Sequence, residues 1–304
     1  MRTLLITGSD TGIGKTRITG LLAALLPEQG QTVRIVKPVE TGVDADGDAG
    51  SAAAFARSAT GEIEGLGDHH RGHAKCPTRR SRHQKGTHQT EHTHGGRGSV
   101  RAATTVPASR DGPTENSALF ARSSRDKGLK IEAYTLRRFP EPLAPVAAAA
   151  LAGEALDPDS LLAEINRLPD CDWRLIEGAG GLAVPLDRSG RDWADFAAAL
   201  PGVHVVLVVP DRLGAINQAR LTAHYALSKG LDCSLWLNET VPADHAVRDA
   251  NREGVSGDNS LPLFRLGFQA NVPENAERVA AFYRGLPSAG TAPLQDRRQA
   301  AANP

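Results

Sequence analysis

Nine residues near the start of the chain restrict its fold more than any other segment: Gly8-Ser9-Asp10-Thr11-Gly12-Ile13-Gly14-Lys15-Thr16. They follow directly on the apolar run Thr3-Leu4-Leu5-Ile6-Thr7 and precede a helical pattern. A strand, a glycine-rich turn and a Gly-Lys-Thr ending at a helix start describe a cradle for phosphate. Backbone N–H groups of Gly12, Ile13 and Gly14, together with the N-terminus of the helix, converge on one spot. Lys15 adds a positive point charge there, and the Thr16 hydroxyl is a ligand for Mg²⁺. The pattern departs from its usual form in one respect. The glycine that ordinarily stands about five residues before Gly14 is replaced by Ser9, and a glycine stands one step earlier, at Gly8. Binding of a nucleoside triphosphate is the expectation.

The rest of the chain agrees with an α/β fold. Strands are expected at 3–7, 32–37, 173–177, 203–209, 232–238 and about 263–267, and helices at 14–27, 144–153, 158–168, 191–200, 212–229 and 273–284. The segment Val203-His204-Val205-Val206-Leu207-Val208-Val209 is nearly continuous in apolar residues, as expected of a strand covered on both faces. Asp157-Pro158 reads as an N-cap followed by proline in the first helical position. Alternation of this kind predicts a single doubly wound, mostly parallel sheet of P-loop NTPase type, with ligands at the carboxyl ends of its strands.

One stretch breaks the pattern. From about Gly65 to Pro113 apolar residues nearly vanish, and seven of the chain's ten histidines gather there, among them His69, His70, His73, His92 and His94. Too little apolar surface is available to offset the entropy of ordering it, so a disordered insertion is expected. Its ends carry a near-repeat, Ala53-Ala54-Phe55-Ala56-Arg57-Ser58 and Ala118-Leu119-Phe120-Ala121-Arg122-Ser123, of which one copy is expected to belong to the fold. The domain is expected to span 1–286, and 287–304, rich in Ala, Pro, Gln and Arg, to be a frayed tail.

Bulk properties set further expectations. With 35 basic and 35 acidic residues, no global charge draws the chain to nucleic acid or to a membrane. Cys76, Cys171 and Cys233 are too few and too scattered for a disulfide framework, which points to a reducing compartment. No apolar stretch is long enough to span a bilayer, and the start lacks a signal-peptide pattern. A cytoplasmic protein is therefore expected.

Further segments end strands on the same rim as the phosphate loop. In Lys37-Pro38-Val39-Glu40-Thr41-Gly42, a lysine beside a phosphate site can stabilise anionic oxygens on a transferred phosphoryl group and on its acceptor. In Leu175-Ile176-Glu177-Gly178-Ala179-Gly180-Gly181, the acidic residue closing an apolar strand reaches Mg²⁺, directly or through water, and the glycines let backbone approach a ligand. Asp211-Arg212-Leu213-Gly214-Ala215-Ile216-Asn217 opens a long helix whose first N–H groups can hold a carboxylate.

Taken in order, these residues resemble the dethiobiotin synthetase family. The carriers are Gly8-x-Asp10-Thr11-x-x-Gly14-Lys15-Thr16, Lys37-Pro38-Val39-x-Thr41-Gly42, Glu177-Gly178-Ala179-Gly180-Gly181 and Leu213-Gly214-x-Ile216-Asn217. Phe139-Pro140-Glu141-Pro142-Leu143-Ala144-Pro145, Asn238 after a strand and Pro273-Glu274-Asn275 fit the same pattern, and the likeness covers roughly 1–57 and 115–285. The resemblance implies an ATP- and Mg²⁺-dependent ring closure in biotin biosynthesis that joins CO₂ to 7,8-diaminononanoate. An amine becomes a carbamate, the carbamate is phosphorylated, and the second amine displaces phosphate to close a cyclic urea. By the match, Lys15 contacts phosphates and carbamate, and Lys37 stabilises the carbamate. Thr11 and Thr41 position diamine and carbamate, while Thr16 and Glu177 hold Mg²⁺. Gly178 and Gly180 line the nucleotide site, and Asn238 reads the adenine edge. Leu213, Gly214 and Asn217 come from the opposite subunit and take the substrate carboxylate, so a homodimer with shared sites follows.

Two departures stand out. The aspartate that completes the family's metal site has Asp46 and Asp48 as candidates here, of which Asp48 is favoured, and Gly12 replaces a bulkier, often acidic residue. Three alternatives stay open at this point. A partitioning or septum-site (ParA/MinD-like) ATPase switch would carry an extra lysine near the start of the loop, where this chain reads Gly8-Ser9-Asp10. A nickel-delivery GTPase would suit the histidines, but Asn238-Glu239-Thr240-Val241 lacks the Asn-Lys-x-Asp of guanine readers. An inactive relative is raised by the metal aspartate.

Overall fold

The computed structural model describes residues 1–42, 50–54, 56, 130–256 and 261–288. The expected insertion at 65–113, the second near-repeat copy at 118–123, Asp46, Asp48 and most of the expected tail lie outside the described residues. Seven strands form one sheet in the order β3-β2-β4-β1-β5-β6-β7. They are β1 (Arg2–Gly8), β2 (Thr32–Thr41), β3 (Lys130–Phe139), β4 (Trp173–Glu177), β5 (Val203–Pro210), β6 (Cys233–Asn238) and β7 (Leu263–Leu266). Every pairing is parallel. The helices are α1 (Lys15–Leu25), α2 (Pro145–Leu151), α3 (Pro158–Arg167), α4 (Trp193–Ala198), α5 (Ala215–Ser228), α6 (His245–Ser256) and α7 (Ala276–Arg284), and residues 50–54 are also helical.

The two-residue period of a strand sends alternate side chains of β1 to opposite faces, so each face acquires its own core. Leu5 packs with Trp193, Phe196 and the alanines of α5 on one side. Leu4 and Ile6 pack with α1, Trp236 and Tyr283 on the other. Ala52, Ala53 and Ala56 are buried in the second core, so the first copy of the near-repeat belongs to the fold. Asp157 caps α3 by accepting from the N–H groups of Asp159 and Ser160, with Pro158 in the first turn.

Besides the helical residues 50–54, two elements were not expected. β3 is an edge strand whose residues alternate polar with apolar (Lys130-Ile131-Glu132-Ala133-Tyr134), so it lacks the continuous apolar run of the inner strands. α6 buries only Asn251 and Val255, too sparse an apolar stripe to stand out from a loop.

Candidate active site

The phosphate loop lies between β1 and α1, where the usual central strand delivers it to the carboxyl rim of the sheet. A Cβ on Gly8 would stand 2.1 Å from the Val208 carbonyl oxygen, so the close approach of the end of β1 to its neighbour β5 requires glycine there. Gly12 and Gly14 take φ of +71° and +89°, which lets the loop curl around an open centre. The Leu182 N–H donates to the Gly8 carbonyl at 2.8 Å, seating the Gly178–Gly181 turn against the phosphate loop.

Thr11, Gly12, Gly14, Lys15, Thr16, Lys37, Thr41, Glu177 and Gly180 all line one cleft of about 580 Å³, closed on its far side by the Pro142–Pro145 segment. β2 brings Lys37 and Thr41 to this rim, and β4 brings Glu177. Lys15 Nζ donates to the Asp10 carbonyl at 2.7 Å, inside its own loop. Lys37 is buried, and its Nζ donates to Glu177 Oε1 at 2.7 Å. Thr16 Oγ1 donates to the same oxygen at 2.9 Å. Glu177 is 1% exposed, and its Oε2 is buried with no hydrogen-bond partner among the described residues.

A buried carboxylate oxygen without a partner costs about 1–3 kcal/mol or more, which a cation would recover. Carboxylate plus hydroxyl is the donor chemistry of a hard divalent ion, so the residues present fit Mg²⁺. Among the described residues no cluster of three His, Cys, Asp or Glu side chains stands ready to hold a metal, and the third expected ligand, Asp48, lies outside them.

The remaining expected site residues are placed elsewhere. Ile13 is buried beneath the loop, and Gly178 packs against the Trp193 ring. Asn238 ends β6 at 1% exposure and does not line the cleft. Its Nδ2 donates to the Ile13 carbonyl at 2.8 Å, and its Oδ1 accepts from Arg17 at 3.3 Å. Leu213, Gly214 and Asn217 line a separate apolar groove between α5 and α6, together with Ile216, Val247 and Ala250.

Three supporting side chains escaped sequence reasoning. Arg17 donates to the carbonyls of Gly267 and Ala270, strapping the ends of β6 and β7 to α1. Burial lowers its pKa, and the charge of Glu239 opposes the shift. Trp193 Nε1 donates to the Ala179 carbonyl at 2.8 Å and fixes the glycine turn. Ser9, where a glycine is usual, donates to Gln218 Oε1 at 3.0 Å and ties the loop to α5. Ser9 stands out in sequence only as the residue in the usual glycine's place, and no local pattern marks the contacts of any of the three, because their partners are brought near only by the fold.

With this geometry, comparison with known proteins becomes specific. Residues 2–63 and 109–264 match the AAA domain family. An ATP-dependent dethiobiotin synthetase BioD from Mycobacterium avium is 32% identical over 258 residues, covering 82% of this chain and 82% of that one. The BioD of Rhodococcus erythropolis is 29% identical over 283 residues, covering 92% of this chain and 94% of its own. Among solved structures, a plasmid partition protein from Borrelia burgdorferi superposes with a TM-score of 0.46 at 10% identity, covering 93% of this chain and 96% of that one. A likeness that loose says nothing about activity.

Proposed function

The chain belongs to the AAA domain family and, within it, to the ATP-dependent dethiobiotin synthetases, enzymes of biotin biosynthesis; from that premise we propose how its residues close the ring. The substrates are 7,8-diaminononanoate, CO₂ and ATP. One observation carries the reading: Lys15 and Thr16 at the start of α1, Lys37 on β2 and Glu177 at the end of β4 line a single cleft with Thr11 and Thr41.

One amine of the diamine adds to the carbon of CO₂ and loses a proton, giving a carbamate. A carbamate oxygen then takes the terminal phosphoryl group of ATP, and ADP leaves. The second amine attacks the carbamoyl carbon, phosphate departs with the C–O bonding pair, the attacking nitrogen gives up a proton to solvent, and a cyclic urea remains. Each stage gathers anionic oxygens, so cationic groups fixed in advance lower its barrier. Lys15 holds the phosphates and the loop amides of Gly12, Ile13 and Gly14 surround them, with Gly180 flanking the nucleotide. Lys37 stabilises the carbamate by exchanging its contact with Glu177 for the new anion. Thr11 and Thr41 orient diamine and carbamate. Mg²⁺, when bound, neutralises phosphate charge, and Thr16 Oγ1 and Glu177 Oε2 are the groups that would hold it, with Asp48 as third ligand.

The substrate's own carboxylate is taken by the partner subunit's Asn217 and the turn that precedes it, in a homodimer. The placement of Leu213, Gly214 and Asn217 away from the cleft of their own chain supports this. Incubation of the purified protein with ATP, Mg²⁺, bicarbonate and the diamine is expected to yield the cyclic urea by mass spectrometry. Nucleotide hydrolysis with no such product would sink the reading and favour a switch ATPase.

A further inference from the structure

We propose that Asp211, Asn251 and Arg265 are positioning residues that preset the turn at 212–217 for an anionic ligand. Asp211 and Asn251 hold the turn in shape, and Arg265 cancels the charge that this anchor leaves beneath it. The proposal rests on the reading in which this turn takes the substrate's carboxylate, and it adds what makes the turn fit to do so.

The turn itself is open to solvent, but its anchor is not. Arg212, Leu213 and Gly214 are exposed, whereas Asp211, directly before them, is 2% exposed. Helix α5 starts without a side-chain cap, since its N-cap position is Gly214. The first N–H groups of such a helix are left for an outside acceptor. What fixes their direction comes from α6. Asn251 Nδ2 donates to Asp211 Oδ1 at 2.8 Å and to the Arg212 carbonyl at 3.1 Å, so one amide joins Asp211, the turn and α6. Asn251 is itself 4% exposed. Alongside, α6 lies so near that a Cβ on Gly254 would stand 2.5 Å from Ile216 Cδ1.

This anchor carries an electrostatic conflict. A helix N-terminus draws an anion by its partial positive charge, and a fixed carboxylate one residue before the turn opposes a second one arriving there. Arg265 removes the conflict, reaching Asp211 from β7 across β6. Its Nε and Nη2 donate to Asp211 Oδ2 at 3.2 and 2.6 Å, and the two side chains are 8% and 1% exposed. Glu274 also stands near Arg265, at 4.0 Å, but it is engaged at 3.1 Å by Arg248. The Arg265 charge is therefore spent chiefly on Asp211.

The test compares cyclic-urea formation from 7,8-diaminononanoate and from 7,8-diaminononane, which lacks the carboxylate. Wild type, Arg265→Met, Asn251→Ala and the double variant Asp211→Asn with Arg265→Met are assayed. Arg265→Met leaves the Asp211 charge uncompensated. It is expected to raise KM for diaminononanoate by about tenfold, with KM for ATP and for diaminononane within about threefold of wild type. The double variant carries neither charge and is expected to bring KM for diaminononanoate back to within about threefold of wild type, a rescue that lost packing does not give. Asn251→Ala releases the Arg212 carbonyl and is expected to raise the same KM by roughly fivefold, again only where the carboxylate is present. Equal rises for both diamines, or a double variant no better than Arg265→Met, would make the trio a fold element and overturn the proposal. If Arg265→Met does not fold, a wild-type KM for diaminononanoate in Asn251→Ala would overturn it equally. Equal KM values for the two diamines in wild type would instead remove the carboxylate reading beneath it.

Discussion

Lys37 is the residue on which the proposed chemistry turns. Its ammonium is buried and 2.7 Å from a carboxylate that is itself 1% exposed. Removing one member of such a pair leaves an uncompensated charge at a cost of about 3–5 kcal/mol, so truncation to alanine would mix a catalytic loss with a folding one. Lys37→Gln keeps a donor for Glu177 and removes the charge. It is expected to lower kcat by at least ~100-fold while KM for ATP changes by less than about threefold, because the charge is needed where the carbamate forms and not where the triphosphate docks. Steady-state kinetics beside a thermal melt would check this, and an equal loss in nucleotide binding would make Lys37 a phosphate ligand. Lys15, Thr16, Lys37 and Glu177 were all legible from sequence because each stands at a fixed offset from an apolar strand. Arg17 and Trp193 were not, since the carbonyls they bind come from positions 267, 270 and 179, whose nearness is a product of topology.

At the scale of elements, every strand but the edge strand β3 could be read, β7 at the other edge included. β1, β4, β5 and β6 are covered on both faces and therefore announce themselves as apolar runs, while β3 and α6 each spend half their surface on solvent. One polar residue is nonetheless built into the covered part of β5. His204 contacts Ser234 Oγ at 3.0 Å, Ser234 contacts the Tyr283 hydroxyl at 2.7 Å, and Trp236 donates to that hydroxyl at 2.7 Å. Burial lowers the His204 pKa from 6.5 to about 4, and pushes the Tyr283 phenol up so that it stays neutral in this range. In the unfolded chain the imidazole binds its proton near pH 6.5, and in the folded one only near pH 4. Stability is thus fully present above about pH 6.5 and declines as pH falls toward 4, by up to about 3 kcal/mol. Thermal melts of wild type and His204→Gln are expected to converge over that interval. Parallel curves would mean that the ring is reached by water.

For the whole molecule, what matters is where its apolar surface remains uncovered. The buried face of α5 consists of Ala215, Ala219, Ala223 and Ala226, small residues that let the helix sit close on the sheet. Its outer side carries Leu221 and Leu227, at 63% and 44% exposure, and the turn before it carries Leu213 at 90%. Exposed leucines on and before α5, with Leu213 also lining the groove shared with α6, are what the proposed dimer would cover. The first turn of α5 supplies Asn217, which the proposed mechanism needs in a cleft that its own chain does not let it line. A two-fold dimer resolves both facts, because an isologous interface covers the leucines twice and exchanges the turns. Leu221→Glu is therefore expected to shift the protein toward monomer in sedimentation velocity. It should also raise KM for the diamine by about tenfold or more while leaving ATP affinity unchanged, since every group proposed to hold the phosphates belongs to one chain. The split between the two constants is what distinguishes a shared site from a general loss of stability, which would weaken both. A wild-type protein that is monomeric and fully active at assay concentration would place carboxylate recognition within one chain and remove the reason for the exposed turn.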